Sequence, residues 1–274
     1  MEHFSSINYR PSHSMSETLG KCNSIRCRQY LPSEYLRPYI SCYWTMTSEI
    51  KLEEPISHRV IPDGCIDIIF DLNGHSYRQA ASIVGTMTKP IFTELKAHVN
   101  YIAIRFLPGG FLDFFNSPTH DLADRIIPLE AISPKEEHNL TEQLVLEHHV
   151  ASRIELLGRY LENLLRTNNR NDPVAKHAIY IILKNKGNIQ ISELSRIVDS
   201  SQRHLRRKFD RWIGVSPKTF CRIIRFQNVF RMLRHNSECN LLSAALEAGY
   251  YDQSHFIHEF NSYYGLSPSE FLQH

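Results

Sequence analysis

Long apolar runs are missing from this 274-residue chain. Its first residues, MEHFSSINYRPSHSMSE, are polar throughout, so neither a leader peptide nor a spanning helix is supported, and a cytoplasmic protein without a membrane partner is expected. Cysteine is sparse. The six present (Cys22, Cys27, Cys42, Cys65, Cys221, Cys239) include no CxxC pair and lack the density of a small disulfide scaffold, which favours reduced, mostly buried thiols. Cys65 alone keeps a minor claim to a reactive or ligand-facing role. No HxH pair occurs, which removes the usual metal cradle of a cupin-type barrel, and neither a Gly-rich phosphate loop nor a nucleophile elbow is present. Asp63 and Asp67 could pose as paired carboxylates, yet Asp63-Gly64 more simply makes a turn between strands. His255 and His258 lie three apart and could reach a metal with Cys239, but a helical motif described below already accounts for their placement. No catalytic residue, metal or cofactor is expected, and an enzyme is the remote alternative.

What is there is an ordinary globular composition, 42% hydrophobic and 22% charged, enough for one large or two ordinary domains. Charge is divided unevenly. Residues 174–274 hold 14 Lys/Arg against 8 Asp/Glu, whereas residues 1–173 hold 17 against 21, so a basic segment is joined to an acidic one. Such an imbalance suits a polyanion partner for the C-terminal part only.

The expected organisation is α+β and multi-domain. After an N-terminal arm (1–30), residues 31–132 read as a β-rich barrel or sandwich of cupin-like type. RPYISCYWTM, SHRVIPDGCIDIIFDLNG and HVNYIAIRFLPGG combine β-branched and aromatic residues with the breakers Pro62-Asp63-Gly64, Asn73-Gly74 and Pro108-Gly109-Gly110. Tyr43, Trp44, Phe70 and Phe106 could line an effector pocket in its mouth or simply form core. Trailing helices follow over 133–167, where Ile154, Leu157, Leu161 and Leu164 repeat at 3, 4, 3. This stripe either packs on the β domain or forms a homodimer seam. A polar stretch, RTNNRNDP, marks the linker (168–173). Asp172 then suits an N-cap and Pro173 the first helical position.

Residues 174–274 read as seven helices, over about 174–186, 190–198, 201–212, 217–234, 241–248, 252–263 and 268–272. Within them FDRWIGVSPKTF (209–220) nearly recurs as FNSYYGLSPSEF (260–271), a shift of 51. At that shift SQRHLRRKF overlies DQSHFIHEF. Ser201 and Asp252 become equivalent N-caps, and Leu205/Phe209 match Phe256/Phe260 on a buried face. Each such helix follows a short helix and a tight turn, the helix-turn-helix arrangement, with units at about 190–212 and 241–263. The 217–234 connector would be roughly 27 Å long at 1.5 Å per residue, against about 34 Å between successive major-groove faces. The first unit's outward positions include Arg203, Arg206, Arg207 and Lys208.

At these residues the chain resembles the AraC/XylS family of bacterial transcription regulators. The likeness is carried by ISELSRIVDSSQRHLRRKFDRWIGVSPKTFCRIIRFQNVFRML and ALEAGYYDQSHFIHEFNSYYGLSPSEF. It implies a C-terminal all-α domain of two helix-turn-helix units bridged by a long helix. That domain binds double-stranded promoter DNA and often contacts RNA polymerase. The resemblance places Gln202, Arg203, Arg206 and Arg207 in the first recognition helix and Gln253, Ser254, Ile257 and His258 in the second. Here the sequence departs from the pattern, since His258 stands where Arg is usual and Asn261 where Lys or Arg is common. Lys218, in the first turn of the connector, suits a phosphate contact. RVIPDGCIDIIFDLNG, RFLPGG and DLADRIIPLE are similar to the N-terminal domain of one subgroup of these regulators. That domain may be read two ways: as a sensor of a small-molecule effector, or as a module that only dimerises.

Overall fold

Alternating and near-continuous runs of β-branched and aromatic residues build the N-terminal half. The computed structural model describes residues 9, 11, 24–73, 80–168, 171–235 and 241–273, with the backbone alone for 134–138. The described residues form eight strands: β1 Ile25–Tyr30, β2 Ile40–Ser48, β3 Ile56–Val60, β4 Ile66–Asp71, β5 Ala81–Val84, β6 Ile91–Leu95, β7 Asn100–Phe106 and β8 Ile126–Pro128. Six form an antiparallel sheet in the order β1-β2-β7-β4-β5-β8, and β3 pairs with β6 as a separate ribbon. β2 and β7 carry near-continuous apolar runs because both faces of the sheet are covered at its centre. The arm expected over 1–30 ends earlier, since Ile25–Tyr30 pairs along its whole length with β2. The turns and termini expected at Gly74 and over most of 1–24 lie outside the described residues, as do Cys22 and Cys239.

One face of the large sheet is closed by helices α1 (Pro134–Leu146) and α2 (Val150–Thr167). Leu157 and Leu161 are fully buried there, with Ile154 and Leu164 packed beside them. The proposed dimer seam is therefore spent inside the chain. Its 3-4-3 spacing describes a stripe lying on a sheet, where the same periodicity is required. Tyr43, Phe70 and Phe106 join this same core, Phe106 with its ring 5.4 Å from those of Phe111 and Phe114. Three of the four residues assigned to an effector pocket thus lie on the helix-covered face. Trp44 does not, because neighbours in a strand point to opposite faces.

The C-terminal part consists of α3 (Pro173–Lys184), α4 (Ile191–Ile197), α5 (Gln202–Trp212), α6 (Pro217–His235), α7 (Leu241–Glu247), α8 (Gln253–Tyr264) and α9 (Pro268–Leu272). Asp172 caps α3, its Oδ1 accepting the Ala175 N–H at 3.0 Å. α6 is the axis. Phe220, Ile223, Ile224, Phe226, Val229, Phe230 and Leu233 are buried, as are the polar Gln227 and Asn228.

The two halves do not sit apart on a linker. Ile61, Cys65 and Leu112 of the β-rich half belong to the same apolar cluster as α3–α8. Thr86 Oγ1 donates to the Ile213 carbonyl at 2.7 Å, Thr119 Oγ1 to that of Arg211 at 2.8 Å, and Gln227 Nε2 to that of Pro62 at 2.8 Å. Lys176 Nζ pairs with the buried Asp113 at 2.7 Å, and Arg59 lies 4.1 Å over the Tyr264 ring. Gly64, at φ +77°, lets the β3–β4 turn approach α6 so closely that a Cβ there would stand 2.7 Å from the Phe220 ring. Phe220→Ala removes the ring at the centre of this shared cluster. It is expected to cost about 3–5 kcal/mol and to lower the melting of both halves together as one calorimetric transition.

Candidate nucleic-acid interface and barrel cavity

The local signals that make each helix pair are capping and a forced stop. Ser201 Oγ accepts the His204 N–H at 3.2 Å, and Asp252 Oδ1 accepts that of His255 at 2.7 Å. The turns before them pass through left-handed residues, Asp199 (φ 46°) in the first unit and Gly249 (φ 84°) in the second. Leu205 and Phe209, and equivalently Phe256 and Phe260, are fully buried. With those positions fixed, Gln202, Arg203, Arg206 and Arg207 on α5 are exposed. On α8, Gln253, Ser254 and His258 are exposed in the same way, whereas Ile257 is half-buried and packs on the apolar cluster. Arg207 Nη2 lies 3.1 Å from His204 Nδ1, which steadies the guanidinium at the surface. Lys208 differs from the arginines. Its Nζ pairs with Asp172 at 2.5 Å, so part of its charge is spent holding α5 to the start of α3. Burial alone would push the Asp172 carboxyl up, but hydrogen bonds from Lys208 and the Ala175 N–H hold it below its ordinary value.

Lys218 is exposed in the first turn of α6, behind the Ser216 hydroxyl that accepts the Thr219 N–H at 3.1 Å. It opens a groove of about 640 Å³ between the two helix pairs, lined also by Gln202, Arg222, Arg225 and His255. Arg222 Nε donates to the buried Glu259 at 2.7 Å, and Arg225 lies 5.4 Å over the Tyr250 ring. Lys218, Arg222 and Arg225 fall at i, i+4 and i+7. That basic stripe is legible in the sequence once the helix is drawn, although attention to the recognition helices passes over it. Tyr251, 90% exposed in the turn before α8, is a second surface group outside the expected set.

A cavity of about 310 Å³ lies between the β3–β6 ribbon and the open face of the large sheet. Trp44, Met46, Ile69 and Leu95 supply apolar wall, and Asp63, Asp67 and Arg105 form one polar end. Arg105 donates to Asp67 through Nε (2.8 Å) and Nη2 (2.5 Å), with Asp63 Oδ2 at 3.5 Å from Nη1. Asp63 also makes the turn expected of it, its Oδ1 accepting the Cys65 N–H at 2.9 Å. Cys65 is buried and its thiol is pushed well above the ordinary range by that burial, then by the Asp63 charge, which makes it a packing residue rather than a nucleophile. Among the described residues no group of three or more His, Cys, Asp or Glu side chains could hold a metal.

Comparison with known proteins bears on each half. Residues 194–274 match a family model described as a helix-turn-helix domain, and residues 28–128 match one described as a domain of unknown function. An uncharacterized HTH-type transcriptional regulator of Haemophilus influenzae is 32% identical over 93 residues, 34% of this chain. Residues 194–274 of this chain form a helix-turn-helix domain. The chain spans 31% of the length of that Haemophilus relative. Two solved structures of ToxT from Vibrio cholerae are also similar. One is 13% identical, covering 92% of this chain and 98% of its own with a TM-score of 0.41; the other, bound to an unsaturated fatty acid, is 11% identical, covering 90% and 94% with a TM-score of 0.37. No helix among the described residues is long and apolar enough to cross a membrane.

His58 of β3 lines the cavity and is 7% exposed. Burial, then the Arg105 charge, pushes the imidazole down to about 4. An unfolded His58 takes up its proton near 6.5, so the folded state loses stability as pH falls from about 6.5 through 4, by at most about 3 kcal/mol from this group. Replacing His58 by Asn is expected to flatten the fall in unfolding midpoint across that window, as followed by thermal melts of the full chain.

Proposed function

We propose that this protein is a sequence-specific DNA-binding transcription regulator that sets two recognition helices, α5 and α8, into successive major grooves of promoter DNA. The observation that carries the reading is the pair of equivalent, exposed helix faces mounted at the two ends of a single buried helix. α6 has 19 residues, about 28 Å at 1.5 Å per residue, close to the roughly 34 Å between groove faces on one side of B-DNA. Arg203, Arg206 and Arg207 supply guanidinium groups suited to phosphates and to the O6/N7 edge of guanine. The second unit has no Lys or Arg from Asp252 to Tyr264. It therefore contributes through Gln253, Ser254, His258 and Tyr251, by hydrogen bonds and shape, while the first unit and Lys218 provide most of the electrostatic attraction. The β-rich half senses a small molecule in its cavity, and control of transcription proceeds through contact with RNA polymerase, as the AraC/XylS resemblance implies. A homodimer built on Ile154, Leu157, Leu161 and Leu164 forms no part of this reading.

The test is footprinting of the tagged full-length chain on genomic DNA, followed by titration of the recovered fragment against random duplex. A salt-sensitive preference for discrete sites is expected, and equal affinity for both duplexes would remove the proposal. On the recovered site, Arg207→Ala should cost about 1–3 kcal/mol and relax preference at one base pair. Lys218→Ala should instead weaken every sequence alike and reduce the slope of log K against log salt by about 1.

A further inference from the structure

We propose that the barrel cavity binds a small molecule with an apolar body and a cationic amino head group, seated against the Asp63 carboxylate, and that its occupancy is transmitted to α6 through the turn that carries Asp63. The binding claim stands on the cavity alone. Its consequence for DNA rests on the regulator reading above.

The argument begins with charge. Among the described residues Arg105 is the one guanidinium lining the polar end, and it is bonded to Asp67 through two short hydrogen bonds. Trp44 Nε1 adds a third donor to Asp67 at 3.3 Å, so that carboxylate is satisfied. Asp63 is left with a 3.5 Å approach to Arg105, at the outer limit of a hydrogen bond. Two carboxylates against one guanidinium leave an excess negative charge, and Asp71 lines the same cavity. His58 does not offset it, being held neutral by burial. A surplus buried carboxylate is costly until a cation or a proton joins it. Burial accordingly raises the Asp63 carboxyl above its ordinary value, against the lowering effect of Arg105. A ligand carboxylate would meet this excess charge and would have to compete with Asp67 for Arg105. An ammonium group would complete the set, with Trp44, bonded to Asp67, among the walls near it. The volume, about 310 Å³, is at the small end of organic ligand sites, and most of the remaining wall is aliphatic.

The route outward is short. The Pro62 carbonyl, one residue before Asp63, accepts from Gln227 of α6, a side chain only 1% exposed. Asp63's own carbonyl accepts the Tyr9 hydroxyl at 2.7 Å, and Gly64 lies under Phe220. A head group that draws Asp63 into the cavity therefore pulls on a turn bonded to the helix that spaces the two recognition helices.

The experiment uses the full chain and two matched series, 2-phenylethylamine, 2-phenylethanol and phenylacetate, and tryptamine, tryptophol and indole-3-acetate, at millimolar concentration. Thermal melts are expected to show a rise in midpoint with at least one amine, little with its alcohol and none with its carboxylate. Asp63→Asn keeps an oxygen for the Cys65 N–H and should abolish the amine's advantage while leaving the ligand-free protein folded. A wild-type protein that answers no member of either series, or prefers the alcohol or carboxylate, or an Asp63→Asn variant that still prefers the amine, would overturn the proposed head group. The second readout is affinity for the footprinted site with and without the stabilising amine. A several-fold change is expected in wild type and its loss in Gln227→Leu. No change in wild type refutes the transmission and leaves the binding claim intact. An amine-stabilised protein that binds no DNA at all refutes the regulator reading instead.

Discussion

The burial of the apolar side chains of α6 is the constraint on which the other features depend. A helix with so wide an apolar surface must be covered, and here the cover comes from three sources: the first helix pair, the second helix pair and the β3–β4 turn. Its Phe226 and Phe230 rings stack on one another and meet Phe260, while Phe220 meets Phe209. One set of side chains thus fixes both the spacing of the recognition helices and the attachment of the barrel. Close-packed interiors shift between discrete arrangements more readily than they deform, so a disturbance at the turn is passed on as a change of packing.

The buried polar contacts along the seam add direction to this packing. Gln227 and Thr86 each satisfy a carbonyl across it, and the Lys176–Asp113 pair does so with charge. Burial lifts the Asp113 carboxyl to about 6 in spite of Lys176, the desolvation that a buried pair has to offset. The same holds where α8 meets α6. Glu259 is 1% exposed and is held by Arg222 of the connector, so the second recognition helix is keyed to α6 by an ion pair for which the equivalent Lys208 position in the first unit uses Asp172.

Much of the C-terminal half could be read from the sequence because its signals are local. Ser201, Asp252 and Asp172 cap as their side chains allow, Pro173, Pro217 and Pro268 open helices, and the 3.6-residue period survives in every copy. The β-rich half was legible as a class only. β1, β5, β6 and β8 are short or partly exposed strands whose pairing depends on distant partners, and nothing within IFTEL specifies that it pairs with ISHRV. Strand alternation decided the fate of the pocket residues. Tyr43 and Trp44 are neighbours in sequence, yet only Trp44 faces the cavity, and period two cannot say which face is which without the fold. The seam was hidden for a similar reason. Thr86, Thr119 and Gln227 are ordinary polar residues until the surfaces that bury them are known.

The repeated F-x4-G-h-S-P motif answers to two demands at once. Gly214 and Gly265 occupy equivalent places, each at positive φ (+89° and +87°), and each ends a recognition helix in the conformation glycine tolerates best. Each is also where the barrel touches its helix pair. The Ile213 carbonyl takes the Thr86 hydroxyl, and a Cβ on Gly214 would lie 2.5 Å from the Thr119 carbonyl oxygen. At the matching position of the second unit, Tyr264 lies under Arg59, and Phe92 of β6 stands beside Gly265. The first recognition helix is therefore held by the β5 end of the large sheet and the second by the β3–β6 ribbon. Those two elements are the opposite walls of the cavity. The two walls of the cavity thus carry two equivalent docking points, one for each of the helices at the ends of the connector.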